Sequence, residues 1–279
     1  MRLNICGNLG NTAKCNETEL EIYYEEEGEG ETLVMVGGFT ATIEVWGRLR
    51  PLLSKKYRLI MADNRGSGRT KILNEDGIRT PAKLALDVLS LVDSLKIEKF
   101  HIFGGSMGGM ISQEFAVKNQ ERLKSLIIAC SQFGGKDAIK PNPGIRETRA
   151  KGGIPTATPE ERRAALETLF HPHTIDNRPE VVKFYDENKR KFPHSREELD
   201  RRTKGMNECD ISEEIRNLKV PTLVICGSND VLVPTENSRL IAERIPDSEL
   251  SIIEKSGHHF YSEQPELSSE IMLKFLSKY

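Results

Sequence analysis

The apolar residues of this chain repeat in two ways. Short runs at Leu20 to Tyr24, Leu33 to Val36, Tyr57 to Ala62, Phe100 to Phe103, Ser125 to Cys130, Thr222 to Cys226 and Leu250 to Ile253 are continuous or alternating. Several stop at Gly, Asp or Asn, and they read as strands. Longer stretches repeat every three to four residues. Pro81 opens one with Leu84, Val88, Leu91, Val92 and Leu95 on one face. Further helices are expected from Met107 to Lys118, Glu236 to Arg244 and Glu266 to Tyr279. Glu25 to Glu31, with five Glu and two Gly, reads as a solvated hairpin turn between the first two strands. From Phe100 onward strand and helix alternate, which predicts a mostly parallel sheet with helices on both faces.

One interval breaks the alternation. Residues 131–218 contain no obvious strand, and 17 basic and 16 acidic side chains crowd into these 88 residues. Thr158-Pro159-Glu160-Glu161 is a capping box with Pro at the first helical position. We read a helical insert, 131–218, on a core made of residues 1–130 and 219–279. A long insert in a compact domain usually has a role, and here it is expected to be a lid. Phe170, Phe184, Tyr185 and Phe192 are the aromatics expected to face a site.

Composition excludes more than it assigns. With 40 basic and 42 acidic residues, the 279-residue chain carries a net charge of −2, so nothing draws it to nucleic acid or an anionic membrane. No apolar run is long enough for a membrane helix, and the first residues lack a signal-peptide pattern. A cytoplasmic protein is expected. Five cysteines, Cys6, Cys15, Cys130, Cys209 and Cys226, form no C-x-x-C pair. They predict neither a disulfide framework nor a zinc site.

The chemistry gathers in the turns after the strands. Gly104-Gly105-Ser106-Met107-Gly108 fits G-x-S-x-G, directly after a strand and directly before a helix. That context places a serine on a tight, exposed turn. A glycine-rich turn of this kind can also serve phosphate binding. A serine hydroxyl needs a base, and the base needs an orienting carboxylate. Of six histidines, His101 lies inside a strand, and His171, His173 and His194 lie in the charged insert. His171-Pro172-His173 has no acidic or cysteine partner at ligand spacing, so no metal is expected. Gly257-His258-His259 follows the last strand, and His258 is preferred over His259 as base. Asp230 leaves the carboxyl end of the strand Thr222 to Cys226, whereas Asp63 precedes the serine and suits a turn. An oxyanion hole needs two backbone N–H donors. Met107 offers one, and Phe39, with Thr40 second, offers the other.

With these residues in view, the chain resembles the α/β-hydrolase superfamily over nearly its whole length. The resemblance rests on Gly37-Gly38-Phe39, Asp63-Asn64-Arg65-Gly66-Ser67-Gly68, the serine turn, Gly227 to Pro234, and Gly257-His258. It is similar in detail to cofactor-free carboxylesterases, enol-lactonases and perhydrolases with a helical cap. It departs from them at Gly37, where the family often has His. The resemblance implies an α/β-hydrolase fold and a triad of Ser106, Asp230 and His258 in the family's order. It implies hydrolysis of a small carboxylic ester or lactone without a cofactor. Gly38, Thr40 and Trp46 are expected at the substrate, and Met107, Trp46 and the insert aromatics imply a partly apolar pocket. Aspartate-nucleophile dehalogenase and epoxide hydrolase activities are disfavoured by Ser106. An acyltransferase of the homoserine O-acetyltransferase type, a carbon–carbon bond hydrolase and a non-catalytic ligand receptor remain as rivals. Nothing in the sequence fixes the oligomeric state.

Overall fold

A computed structural model describes residues 10–74, 77–153 and 156–279. Cys6 lies outside the described residues. The chain begins with β1 (Asn11–Cys15), β2 (Leu20–Glu27) and β3 (Glu31–Val36). A short helix α1 (Arg50–Leu53), β4 (Tyr57–Ala62) and the two-residue β5 (Lys71–Ile72) follow. Then come α2 (Pro81–Ser94), β6 (Phe100–Gly105), α3 (Met107–Asn119) and β7 (Leu123–Ala129). Five helices succeed one another: α4 (Gly144–Gly152), α5 (Pro159–Glu167), α6 (Pro172–Asn177), α7 (Pro179–Lys191) and α8 (Arg196–Asn207). The chain closes with β8 (Thr222–Gly227), α9 (Thr235–Arg244), β9 (Glu249–Ile253), α10 (Phe260–Glu263) and α11 (Pro265–Leu276).

The strands form one sheet in the order β1-β2-β4-β3-β6-β7-β8-β9, with β5 paired to β2. From β4 to β9 every neighbouring pair is parallel; β1, β2 and β5 are antiparallel additions at one side. The hairpin expected between the first two runs does not form. β2 continues to Glu27 and pairs with β1 and β4, while β3 enters on the far side of β4. The Glu-rich turn therefore crosses the sheet rather than closing a ladder. β1 escaped the sequence reading because its burial is confined to Ala13 and Cys15.

Neighbouring strand residues point to opposite faces, and the core divides accordingly. Val34, Ile102, Ile128 and Val224 join one apolar layer, which also holds Leu84, Leu91 and Phe115 from α2 and α3. Leu33, Phe103, Ile127 and Leu223 join the other, with Leu53, Met272 and Phe275 from α1 and α11. Helix starts follow their caps. Thr80 accepts a bond from Lys83 N–H at 3.1 Å ahead of Pro81, and Thr158 and Glu161 complete the capping box of α5.

Between β7 and β8 the described residues hold helices and no named strand. An isolated bridge, Gly134 to Asp210, ties the base of this excursion. Phe133, Ala138, Cys209, Ile211, Ile215 and Leu218 belong to the first core layer. A separate small cluster of Leu169, Phe170 and Val181 lies among the helices. Among the described residues no helix is long and apolar enough to cross a membrane.

Candidate active site

Because the central strands are parallel, their carboxyl ends share one edge, and the loops after β3, β6, β8 and β9 meet there. β6 delivers Ser106 with φ 58° and ψ −121°, a conformation that L side chains rarely adopt. Its surroundings hold it. Ser106 N–H donates to Ala129 at 2.8 Å, and its carbonyl accepts from Gly109 N–H at 2.9 Å and Ser131 Oγ at 2.7 Å. Strain of this kind persists only where the fold over-determines it. Gly108 explains itself by contact: a Cβ there would stand 2.1 Å from the Val36 carbonyl. Only glycine lets α3 start so close to β3. At Gly38 a Cβ would lie 3.1 Å from Ser106 Cβ, so the loop after β3 lies directly against the serine.

Asp230 follows β8 and His258 follows β9. Asp230 Oδ2 and His258 Nδ1 are 2.7 Å apart, and both residues are buried. Asp230 Oδ1 accepts from Leu232 N–H at 3.0 Å and Val233 N–H at 2.9 Å. The carboxylate is thus fixed on both oxygens and leaves Nε2 as the ring's free nitrogen. Ser106 and His258 line one pocket. Among the described residues Ser106 Oγ makes no hydrogen bond, and catalytic bonds in ligand-free sites often tighten only with substrate. His259 has a different environment. It stacks on Phe170 at 5.3 Å, meets Tyr185 edge-on at 5.2 Å, and is 3.2 Å from the Tyr261 hydroxyl. Burial first, then the charges of His258 and Arg149, push its pKa well below the usual range, so it stays neutral.

The loop after β3 carries Gly37 and is braced by side chains from other elements. Asn64 Nδ2 donates to the Gly37 carbonyl at 2.8 Å, and Ala41 N–H closes onto Gly38 at 3.2 Å. Arg202 Nη1 donates to the Phe39 carbonyl. Among the described residues no acceptor takes the N–H of Phe39 or Met107, so both are available to a bound oxygen.

Other expected residues divide. Gly38, Phe39 and Thr40 line the pocket, as do Phe184 and Tyr185 of α7. Trp46 does not. It is 1 % exposed and packs on Phe103 and Tyr261 in the second core layer, because a ring of that size fills the space beneath the loop. The Met107 side chain also lies in the core rather than the pocket. Phe192 faces away, with Arg69 4.6 Å over its ring. It lines a second cavity of about 520 Å³ between residues 66–70 and 191–201, which neither Asp230 nor His258 lines. Asp63 is indeed a turn residue: buried, it accepts from Ile43 N–H and Arg69 N–H, each at 2.9 Å. His101 is in the core, 2.8 Å from Ser125 Oγ. His171 caps α6, and His173 bonds Asn177 beside it.

Four residues that hold or line the site were missed. Arg202 is fully buried and also donates to the Arg65 carbonyl and Ser67 Oγ, both at 2.8 Å, and to Glu198 at 2.9 Å. Glu263 accepts from Gly257 N–H at 2.6 Å, Thr174 Oγ1 at 2.5 Å and His171 N–H at 2.9 Å. It thereby ties the His258 loop to α6. Arg149 and Lys189 enter the pocket from α4 and α7. In sequence all of them look like ordinary members of charged helix faces.

Metal ligation has one geometric candidate among the described residues. Donor atoms of Cys130, Asp230 and His258 lie within 4.8 Å of one another. Two of the three already bond each other, and burial holds the Cys130 thiol well above its usual pKa, away from the thiolate that binds metals.

A family model described as the alpha/beta hydrolase fold matches residues 31–265. The chain belongs to this family. This alpha/beta hydrolase is a hydrolase by descent, and its relatives differ in substrate. It is 26 % identical over 261 residues to a protein of Azorhizobium caulinodans named provisionally as the carbamate hydrolase RutD, covering 92 % of this chain and 95 % of that one. It is 26 % identical over 285 residues to the 2-hydroxy-6-oxo-6-phenylhexa-2,4-dienoate hydrolase of Comamonas testosteroni, covering 97 % of each. Among solved structures it superposes on a thermophilic esterase from Thermogutta terrifontis with a TM-score of 0.80 and 26 % identity, covering 97 % of this chain and 99 % of that one.

Proposed function

We propose that this hydrolase cleaves a carboxylic ester or lactone of a small, partly apolar substrate through an acyl-enzyme on Ser106. The observation that carries the reading is the 2.7 Å Asp230–His258 pair opening onto the pocket that holds a strained serine just ahead of α3. In the proposed reaction His258 Nε2 takes the Ser106 proton as Oγ attacks the carbonyl. Asp230 orients the ring and offsets its positive charge. Phe39 and Met107 N–H groups, with the start of α3 behind them, hold the oxyanion. His258 then gives the proton to the leaving alcohol, and water repeats the sequence on the acyl-enzyme.

The same proposal makes residues 131–218 a cap. Support comes from α7, which lays Phe184 and Tyr185 over the pocket beside Leu232. The four described cysteines are free and buried, which suits a reducing, cytoplasmic setting. The test is hydrolysis of p-nitrophenyl acetate, butyrate and octanoate by the parent protein and Ser106→Ala. Turnover that disappears with Ser106→Ala supports the reading; turnover that persists places the nucleophile elsewhere. A dienone or carbamate substrate preferred over every ester would instead assign the chemistry named for the two relatives above.

A further inference from the structure

Two cations share the pocket with the nucleophile. Arg149 comes from α4 and Lys189 from α7, and both line the cavity that Ser106 and His258 line. They are close enough for the charge of Arg149 to press on the Lys189 amine. The amine lies beside Gly153 at the end of α4, on the helix that carries Arg149. Arg149 is half-buried and lines the pocket with Tyr185 and His259, and its charge acts on both. Among the described residues no carboxylate oxygen lies within 4 Å of either cation. The acid nearest in influence, Asp186, is exposed on α7, as is Lys189 at the mouth of the pocket. Arg163, Arg196, Arg201 and Arg202 of the same region each pair with an acid. Two like charges held together over a part-apolar pocket cost free energy, and an anion between them would relieve it.

From this arrangement we infer that the substrate carries a carboxylate, which Arg149 and Lys189 bind while Ser106 attacks an ester or lactone carbonyl in the same molecule. The inference rests on the ester-hydrolase reading above and narrows it. A planar guanidinium offers a paired-donor fork to a carboxylate, and a lysine amine adds a mobile point charge. Arg149 and Lys189 are therefore specificity-determining residues that act mainly on substrate binding.

The experiment compares matched substrates by proton release at low ionic strength. The monoethyl esters of succinate, glutarate and adipate are set against ethyl butyrate, valerate and caproate. In the parent protein kcat/KM for the anionic ester of matched length is expected to exceed that of the neutral one by about 10- to 100-fold, mostly through KM. In Arg149→Ala/Lys189→Ala that ratio falls to about one, and in Arg149→Glu it falls below one. Added salt narrows the ratio in the parent. A parent ratio of one or less, or a ratio that the double substitution leaves unchanged, overturns the inference. If no ester of either series is cleaved, the hydrolysis reading fails by itself. Glutarate binding followed by calorimetry then decides: binding lost in the double variant upholds the anion subsite, and no binding to the parent overturns it.

Discussion

The sheet edge and the helical excursion above it meet at one pocket but are built by different physics. At the edge, Ser106, Asp230 and His258 each follow a parallel strand; Asp230 is held by N–H groups of its own loop, Ser106 by Ala129 and Ser131 at the end of β7, and His258 by Asp230. The excursion holds itself by dispersed charge pairs and a small apolar cluster of Leu169, Phe170 and Val181. The edge is therefore suited to fixed chemistry. The excursion is suited to selecting what reaches it, since surface ion pairs contribute little rigidity each.

Substitutions sharpen this contrast. At the edge, Ser106→Ala is expected to abolish ester turnover, a loss of about 10⁶ in kcat, with the fold retained by circular dichroism. Asp230→Asn keeps the shape of the carboxylate but not its charge or its acceptor pair, and about 10⁴ in kcat is expected to go with it. A loss of tenfold or less at Asp230 would mean that another group orients His258.

Arg202 joins the two regions. It reaches from α8 to the Phe39 and Arg65 carbonyls while paired to Glu198. Removing it leaves buried acceptors without a donor, and Arg202→Ala is expected to cost about 3 kcal/mol in chemical denaturation. Arg202→Lys restores little, because an amine cannot span the three directions of the guanidinium. An unchanged midpoint would show that the excursion and the loop after β3 are not coupled.

The smallest expected effect is in acid. His194 Nε2 is 3.1 Å from Ser67 Oγ, whose other partner is the donor Arg202. Ser67 therefore gives its proton to a neutral imidazole. Burial, and then the Arg202 charge, lower the His194 pKa from 6.5 to about 4. The unfolded chain takes up this proton first, so stability is level above about pH 6.5 and declines as pH falls toward 4. His259 acts in the same direction. His194→Gln is expected to flatten that decline by about 1–2 kcal/mol between pH 6.5 and 4, allowing for the part of the ring that meets solvent. Urea midpoints at pH 7, 5.5 and 4.5 read it directly; an equal slope in the variant would remove His194 from the account.

The edge was legible in the sequence because its signals are local. Gly104 and Gly108 around Ser106, and the strand endings before Asp230 and His258, state their roles within a few residues. The crossing from β2 past β4 to β3, the burial of Trp46 and the displacement of Phe192 depend on contacts between distant segments. Arg149, Lys189, Arg202 and Glu263 were hidden for another reason. A charge on a helix face looks the same in sequence whether it meets water, a partner or a pocket. His258 and His259 illustrate the limit: the pair was placed correctly after the last strand, yet only the 2.7 Å contact with Asp230 distinguishes them.

The most direct measurement is active-site labelling with a fluorophosphonate, followed by peptide mass spectrometry. The account predicts one phosphonyl group on the peptide containing Ser106, with labelling strongly slowed in His258→Ala but not in His259→Ala. Labelling at another residue, or slowing by the His259 substitution instead of the His258 one, would contradict it.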